Sequence, residues 1–155
     1  MIVVDTSAIM AILLMEVRAA EFAQIIERQS PALVSAGTAI ELATVASRAS
    51  EVFDDAMAFL GEPFIQIEPV DADQVALAAE GYRRFGKGRH RARLNFGDMF
   101  AYALARSRGL PLLFQGNDFA NTDVTPAVII AERHPKQELD EDRDEPPIIH
   151  QRSLS

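Results

Sequence analysis

The sequence contains no cysteine, which excludes disulfide bonds, thiolate-ligated zinc and a thiolate nucleophile. It also lacks any uninterrupted apolar run of about 18 residues, so no membrane span is expected. Asp5 interrupts the first apolar run and no basic residue precedes it, which argues against a signal peptide. These absences predict a single domain that stays in the reducing cytoplasm, away from membranes.

The chain has a formal net charge of −8. A negative net charge argues against a nucleic-acid partner. The charge is nevertheless segregated along the chain. Residues 135–155 carry six acidic and three basic side chains. The segment between Tyr82 and Arg93 carries no acidic residue and six basic ones, which are Arg83, Arg84, Lys87, Arg89, Arg91 and Arg93. These six are candidates for RNA phosphate contact; the alternative is a solvated loop.

Short apolar, β-branched runs alternate with helical patterns along most of the chain. The pattern predicts strands at 2–4, 32–35, 64–67, 112–114 and 127–130, and helices after Thr6 or Ser7 and at about 18–28, 38–47, 51–60, 71–85 and 96–107. Such alternation is typical of a three-layer α/β/α fold with a mainly parallel sheet. The pattern ends near Ala131, so we expect a folded domain at 1–131 and a disordered acidic tail at 132–155.

Four acidic residues occupy equivalent places in this scheme. Asp5 ends the first strand, Glu41 and Asp98 fall in the first turns of helices, and Asp118 follows the strand ending at Phe114. The carboxyl ends of parallel strands and the first turns of the following helices lie at one edge of a sheet. The four carboxylates are therefore expected to converge there.

Each acid also has a purely structural interpretation. Asp5 is a possible helix N-cap, Glu41 completes a capping box with Thr38, Asp98 complements a helix dipole, and Asp118 suits an Asx-turn. Together, crowded carboxylates require a cation, because otherwise their pKa values rise. An all-oxygen set suits Mg²⁺ or Mn²⁺, and such ions promote phosphodiester hydrolysis.

Four further polar residues lie beside these acids in the sequence. Thr6, Ser7 and Asn95 either orient metal ligands through hydrogen bonds or simply cap helices. Asp123 is a weaker candidate than Asp118, because it lies nine residues past the strand rather than four. Asp123 is expected to reach a metal only through a bound water, rather than by direct contact.

These residues resemble a known family. The runs 2–8 (IVVDTSA), 95–105 (NFGDMFAYALA) and 112–119 (LLFQGNDF), with the loop 82–90, resemble PIN-domain ribonucleases of the VapC toxin branch. The likeness runs in order from Met1 to about Val128. It implies an α/β/α fold, Mg²⁺- or Mn²⁺-dependent cleavage of RNA, a VapB-type antitoxin and homodimerisation. By motif matching it assigns Asp5, Glu41 and Asp98 as metal ligands.

The sequence departs from the family pattern at two places. Many PIN domains have an acid three residues before the phenylalanine of the last motif. Here that position is Gly116, and the acid is Asp118, next to Phe119. The tail beyond Ala131 also matches nothing in the family pattern, so its role is open.

Three other functions compete with a ribonuclease. A phosphatase that forms an aspartyl-phosphate normally needs a second aspartate two residues after the first, and here that position is Ser7. A phosphate-receiver domain needs a lysine at the end of a late strand, whereas the only lysines are Lys87 and Lys136. A catalytically silent, partner-binding domain is the third alternative, and the retained acids argue against it.

Overall fold

Residues 1–128 of the computed structural model are described here, and they form a four-stranded parallel sheet with helices on both faces. The strands are β1 (Ile2–Val4), β2 (Ala32–Ser35), β3 (Ile65–Glu68) and β4 (Leu112–Leu113). The helices are α1 (Thr6–Leu13), α2 (Ala19–Arg28), α3 (Ala36–Ala46), α4 (Ser50–Leu60), α5 (Ala72–Phe85) and α6 (Asp98–Arg108).

The strands lie in the order β3-β2-β1-β4, and every pair is parallel. Successive residues of a strand point to opposite faces, and the packing follows this alternation. Ile2 and Val4 belong to the apolar cluster with α1 to α4, whereas Val3 belongs to the cluster with α6 and the end of α5. The predicted three-layer α/β/α architecture is confirmed.

Element boundaries differ from the sequence-based expectations at several points. The third helix begins at Ala36, directly after β2, so Thr38 lies inside it and no capping box with Glu41 exists. The first helix is capped by Asp5, rather than by Thr6 or Ser7. The third strand is shifted by one residue, to Ile65–Glu68.

The last predicted strand lies partly outside the described residues. Within them, Pro126 forms an isolated parallel bridge with Leu112, and the Ala127 amide donates to the Leu112 carbonyl. The proposed domain boundary at 131/132 and the acidic tail also lie outside residues 1–128. No helix in the described part of the chain is long and apolar enough to cross a membrane.

Candidate active site

Asp5 lies at the carboxyl end of the central strand β1 and is the N-cap of α1. Its Oδ2 accepts hydrogen bonds from the Ser7 amide (2.9 Å) and the Ser7 hydroxyl (2.5 Å). Its Oδ1 is buried and finds no hydrogen-bond partner among residues 1–128. The capping interpretation is therefore correct for one oxygen, whereas capping leaves the other oxygen without a partner in this part of the chain.

Glu41 lies in the second turn of α3, not in the first turn as the sequence predicted. Its Oε2 accepts a hydrogen bond of 2.7 Å from the Thr6 hydroxyl, which ties α3 to the start of α1. A side chain added at Gly97 would collide with the Glu41 carboxylate. Gly97 thus lets Glu41 lie directly against the backbone that precedes Asp98, a role that sequence reasoning missed.

Asp98 begins α6 and exchanges hydrogen bonds with Asn95. The Asn95 amide donates to Asp98 Oδ2 (2.7 Å), and the Asp98 amide donates to Asn95 Oδ1 (3.2 Å). This reciprocal arrangement is a capping box, so Asn95 orients the Asp98 side chain while capping the helix. Capping of the helix and orientation of Asp98, which were alternative interpretations of Asn95, are therefore compatible.

Asp118 lies in the segment 115–124, which follows β4 and contains the single 3₁₀ turn Phe119–Asn121 of the described chain. The Gln115 amide donates to the Ser7 hydroxyl (3.0 Å), so Ser7 holds both Asp5 and the start of this segment. Gly116 has φ +93°, a conformation that side-chain-bearing residues rarely adopt. The acid of this segment is Asp118, two residues further on, and its side chain is exposed.

The pKa values of Asp98 and Asp5 reflect burial and the charges of the neighbouring acids. Burial, together with the charges of Asp5, Asp118 and Glu41, raises the pKa of Asp98 to about 7, against the opposing effect of the Asn95 amide. Burial, with a smaller contribution from the Glu41 charge, raises the pKa of Asp5 to about 6, although hydrogen bonds from Ser7 oppose the shift. Asp98 is therefore at the centre of a crowded acidic edge, defined here as Asp5, Glu41, Asp98 and Asp118.

The donors at this edge fit a hard divalent cation. All are oxygens, one is buried without a hydrogen bond, and two carboxyl groups carry raised pKa values. Within residues 1–128 no three acidic or histidine side chains form a compact ligand cage. Ser35 Oγ and Thr38 Oγ1, at the end of β2 and the start of α3, are also buried and unpaired within this part of the chain.

The basic segment forms a closed loop at 86–94 immediately before Asn95. The Lys87 amide donates to the Leu94 carbonyl (2.9 Å), and the Leu94 amide donates to the Phe85 carbonyl (3.0 Å). Ala92 and Leu94 are buried beneath the loop. Four basic side chains are exposed and form no ion pair within the described residues; they are Lys87, Arg89, Arg91 and Arg93.

Two of the six basic candidates have intramolecular partners instead. Arg83 pairs with Glu80 on the same helix (2.9 Å), and Arg84 pairs with Asp123 (2.9 Å). The structure therefore separates these two from the four exposed cations of the loop. The Asp123 carboxylate, in turn, binds Arg84 of α5 and Tyr102 of α6, and no acid of the edge is among its partners within residues 1–128.

An acidic sheet edge with all-oxygen ligands, beside a basic loop, defines the class of metal-dependent nucleases. A family model for the PIN domain matches residues 2–125. The chain belongs to the PIN-domain family, in its VapC branch. It is 44% identical over 128 residues to the ribonuclease VapC42 of Mycobacterium tuberculosis, covering 81% of this chain and 98% of that protein. It is 43% identical over 124 residues to a ribonuclease VapC of Mycolicibacterium smegmatis, covering 79% of this chain and 96% of that protein.

Solved structures agree on the fold. VapC20 of Mycobacterium tuberculosis, described as a sarcin-ricin loop cleaving toxin, superposes with a TM-score of 0.63 at 22% identity, covering 77% of this chain and 93% of that one. A toxin–antitoxin complex from Klebsiella pneumoniae contains a chain that superposes with a TM-score of 0.62 at 19% identity, covering 84% and 100%. At these identities the likeness concerns the fold alone.

Proposed function

We propose that this chain is the toxin of a type II toxin–antitoxin pair and that it hydrolyses RNA phosphodiester bonds endonucleolytically with the help of Mg²⁺ or Mn²⁺. The observation that carries this proposal is the acidic edge, where the charges of three carboxylates from distant parts of the chain, Asp5, Glu41 and Asp118, act on Asp98. RNA and the translation machinery are cytoplasmic, so we place the activity in the cytoplasm.

The four carboxylates would hold the metal. Asp5 would contribute its unpaired oxygen, and Glu41, Asp98 and Asp118 would contribute carboxylate oxygens to the same ion. A bound divalent cation would polarise the scissile phosphate and stabilise the leaving oxygen. Thr6, Ser7 and Asn95 each hydrogen-bond one of these acids and so fix its position.

The four exposed cations of the loop at 86–94 would bind phosphates that flank the scissile bond. The loop ends at Leu94, directly before Asn95, whose amide binds the Asp98 carboxylate, and this connection supports the proposal. Lysine and arginine contacts of this kind supply sequence-independent affinity. Because the loop contains no paired acid, its charge is available to a polyanion rather than consumed within the fold.

An antitoxin of the VapB type would neutralise this activity. We propose that one of its segments lies across the acidic edge and places an arginine among the carboxylates, where a bidentate ion pair would exclude the metal. Co-purification with the product of a neighbouring gene tests this proposal. Failure of any neighbouring small protein to inhibit cleavage would contradict it.

We also propose that the toxin forms a homodimer through an apolar face beside the site. Three large apolar side chains are strongly exposed there: Ile40 (69%), Val75 (60%) and Phe96 (78%). A groove of about 460 Å³ between α5 and α6 adjoins them and is lined by Val75, Phe96 and Phe100. Sedimentation of wild-type protein and of Phe96→Asp tests this proposal, since a charge in the face should produce monomers.

The decisive experiment is RNA cleavage by purified protein with Mn²⁺ and with excess chelator, followed by mapping of the cut ends. We expect cleavage only with Mn²⁺, leaving 5′-phosphate and 3′-hydroxyl ends, because water rather than the ribose 2′-hydroxyl attacks the phosphorus. Asp98→Asn, prepared identically, controls for contaminating ribonuclease. Full activity in chelator would overturn the proposal.

A further inference from the structure

The carboxylate of Asp123 is fully engaged at the far end of the segment that carries Asp118. Its Oδ1 accepts a hydrogen bond from the Tyr102 hydroxyl (2.9 Å), and its Oδ2 pairs with Arg84 (2.9 Å) and lies 3.8 Å from Arg106. Burial opposes ionisation of Asp123, but Tyr102, Arg106 and Arg84 outweigh it and lower its pKa. These four residues are called the Asp123 cluster below.

The partners of Asp123 are arranged along one face of α6. Asp98, Tyr102 and Arg106 are four residues apart, so they lie above one another on the helix. Asp118 acts electrostatically on Asp98 at the first turn, and Asp123 binds Tyr102 and Arg106 one and two turns further along. The segment therefore runs beside α6, and the point where Asp123 is fixed determines where Asp118 falls relative to Asp98.

The segment is also attached at its start, middle and end. Its start is held by the hydrogen bond from Gln115 to Ser7, and its middle by Phe119, which is buried against Phe114 at 5.2 Å between ring centroids. At its end Val124 is buried in the cluster with α6, and the Thr125 carbonyl that follows accepts a hydrogen bond from the Leu112 amide (2.8 Å). Asp118 itself is exposed and makes no hydrogen bond through its side chain within residues 1–128. Its position is therefore determined by its neighbours on either side.

We infer that Asp123 is a positioning residue, which binds Tyr102, Arg84 and Arg106 so that the segment 115–124 presents Asp118 to Asp98. This inference rests on the proposed metal-dependent activity, because it concerns the fourth acid of that site. It also links the site to the base of the basic loop, since Arg84 directly precedes Phe85 and stacks on its ring at 4.6 Å.

Two variants test this role. Asp123→Asn removes the charge, and Tyr102→Phe removes only the hydroxyl while leaving the ring in the core. For both we expect the Mn²⁺ concentration at half-maximal binding to rise about 10-fold, as is typical when a residue that orients a ligand is lost. Electron paramagnetic resonance of free Mn²⁺ measures this without any cleavage assay. Glu21→Gln, which removes an arginine-paired carboxylate on α2, is the matched control and should leave Mn²⁺ binding unchanged.

Hydrogen exchange of the metal-free protein provides a second measurement. Amides of residues 115–124 should exchange faster in Asp123→Asn and Tyr102→Phe, whereas those of α1 and α3 should not. If Asp123→Asn unfolds, Tyr102→Phe still decides the question, because its ring packing is preserved. Unchanged exchange in this segment, or unchanged Mn²⁺ binding by a folded Tyr102→Phe variant, would overturn the inference.

A double-mutant cycle separates positioning from a general structural role. If Asp123 acts through Asp118, then Asp123→Asn should weaken Mn²⁺ binding in the wild-type background and have little effect in an Asp118→Asn background. Equal effects in both backgrounds would overturn the inference. Should wild-type protein bind Mn²⁺ but cleave no RNA, the proposed function fails, while the binding and exchange data still decide the role of Asp123.

Discussion

The segment 115–124 contributes Asp118 to the acidic edge and Asp123 to the Asp123 cluster. The pKa values of carboxyl groups are shifted in opposite directions in these two regions. At the acidic edge, burial and mutual repulsion raise the pKa of Asp98 to about 7 and that of Asp5 to about 6. In the Asp123 cluster, both oxygens are bound by a hydroxyl and by arginines, and the pKa is lowered.

The difference shows how to separate ligand carboxylates from structural ones. A carboxylate that is fully paired within the fold contributes to holding it together, and its charge is already compensated. Crowded carboxylates without counterions oppose folding and are retained for what they bind. On this criterion Asp123 is a structural carboxylate, whereas the role of Asp118 as a metal ligand stays a prediction.

The largest expected effect comes from removing charge at the acidic edge. Asp5→Asn and Asp98→Asn should each reduce kcat at least about 100-fold, as does the loss of one strong electrostatic contact in a transition state. Their metal-free melting temperatures should be unchanged or higher, because repulsion is relieved. Circular dichroism and RNA cleavage measure both. A folded Asp98→Asn variant with wild-type kcat would contradict the assignment.

A smaller effect is expected from Gly97→Ala. The added methyl group would displace the Glu41 carboxylate, so kcat should fall about 10-fold, the lower end for a perturbed ligand. Gly61→Ala is the control, because its Cβ would meet only backbone at 3.4 Å. Equal activity of the two variants would show that Glu41 tolerates displacement.

Single substitutions in the basic loop should have modest effects. Arg89→Gln or Arg91→Gln should raise KM for RNA two- to threefold, and each should reduce the slope of log K against log salt concentration by about 0.7. Arg83→Gln should change the slope less, since Arg83 already pairs with Glu80. Titrations of RNA binding at several salt concentrations distinguish the loop variants from Arg83→Gln. An equal slope change in Arg83→Gln would show that Arg83 contributes to RNA binding as much as the loop residues do.

Stability should respond to pH in opposite directions in the two regions. The raised pKa values of Asp5 and Asp98 contribute stability that is present below about pH 4 and lost as the pH rises through about 6 to 7. The lowered pKa of Asp123 contributes stability that is present above its ordinary value and lost as the pH falls.

Melting temperatures in chelator between about pH 2 and pH 8 measure these contributions, because the Asp123 contribution is lost only below the ordinary aspartate pKa of 3.8. Asp98→Asn should flatten the decline towards neutral pH, whereas Asp123→Asn should flatten the decline towards acid. Cleavage with Mn²⁺ should increase as the pH passes 6 to 7, because protons and the cation compete for the same oxygens. An unaltered pH profile in Asp98→Asn would contradict the raised pKa.

The smallest effect is expected from removing the tail. The acidic, proline-bearing sequence after Ala131 predicts a tail that lies outside the folded domain, so truncation after Arg133 should leave the melting temperature and kcat unchanged. Loss of soluble expression in the truncated protein would show that the tail belongs to the folded domain.

The sequence by itself determined the class of fold. The uninterrupted apolar runs at 2–4 and 32–34 predict strands that are buried on both faces, as in a parallel sheet. Parallel strands bring their carboxyl ends together, so the meeting of Asp5, Glu41 and Asp98 also followed from the pattern. Motif spacing then identified the family.

Only the tertiary structure decided which partner each side chain meets. Thr38 and Glu41 have the spacing of a capping box, yet α3 begins two residues before Thr38, and Glu41 bonds Thr6 instead. Tyr102 and Asp123 are 21 residues apart, and no local rule relates them. Spacing along the chain determines neighbours within an element, whereas contacts between elements depend on how α5, α6 and the last segment pack. Asp118 and Asp123 are aspartates of the same segment after β4, and this packing gives them different surroundings.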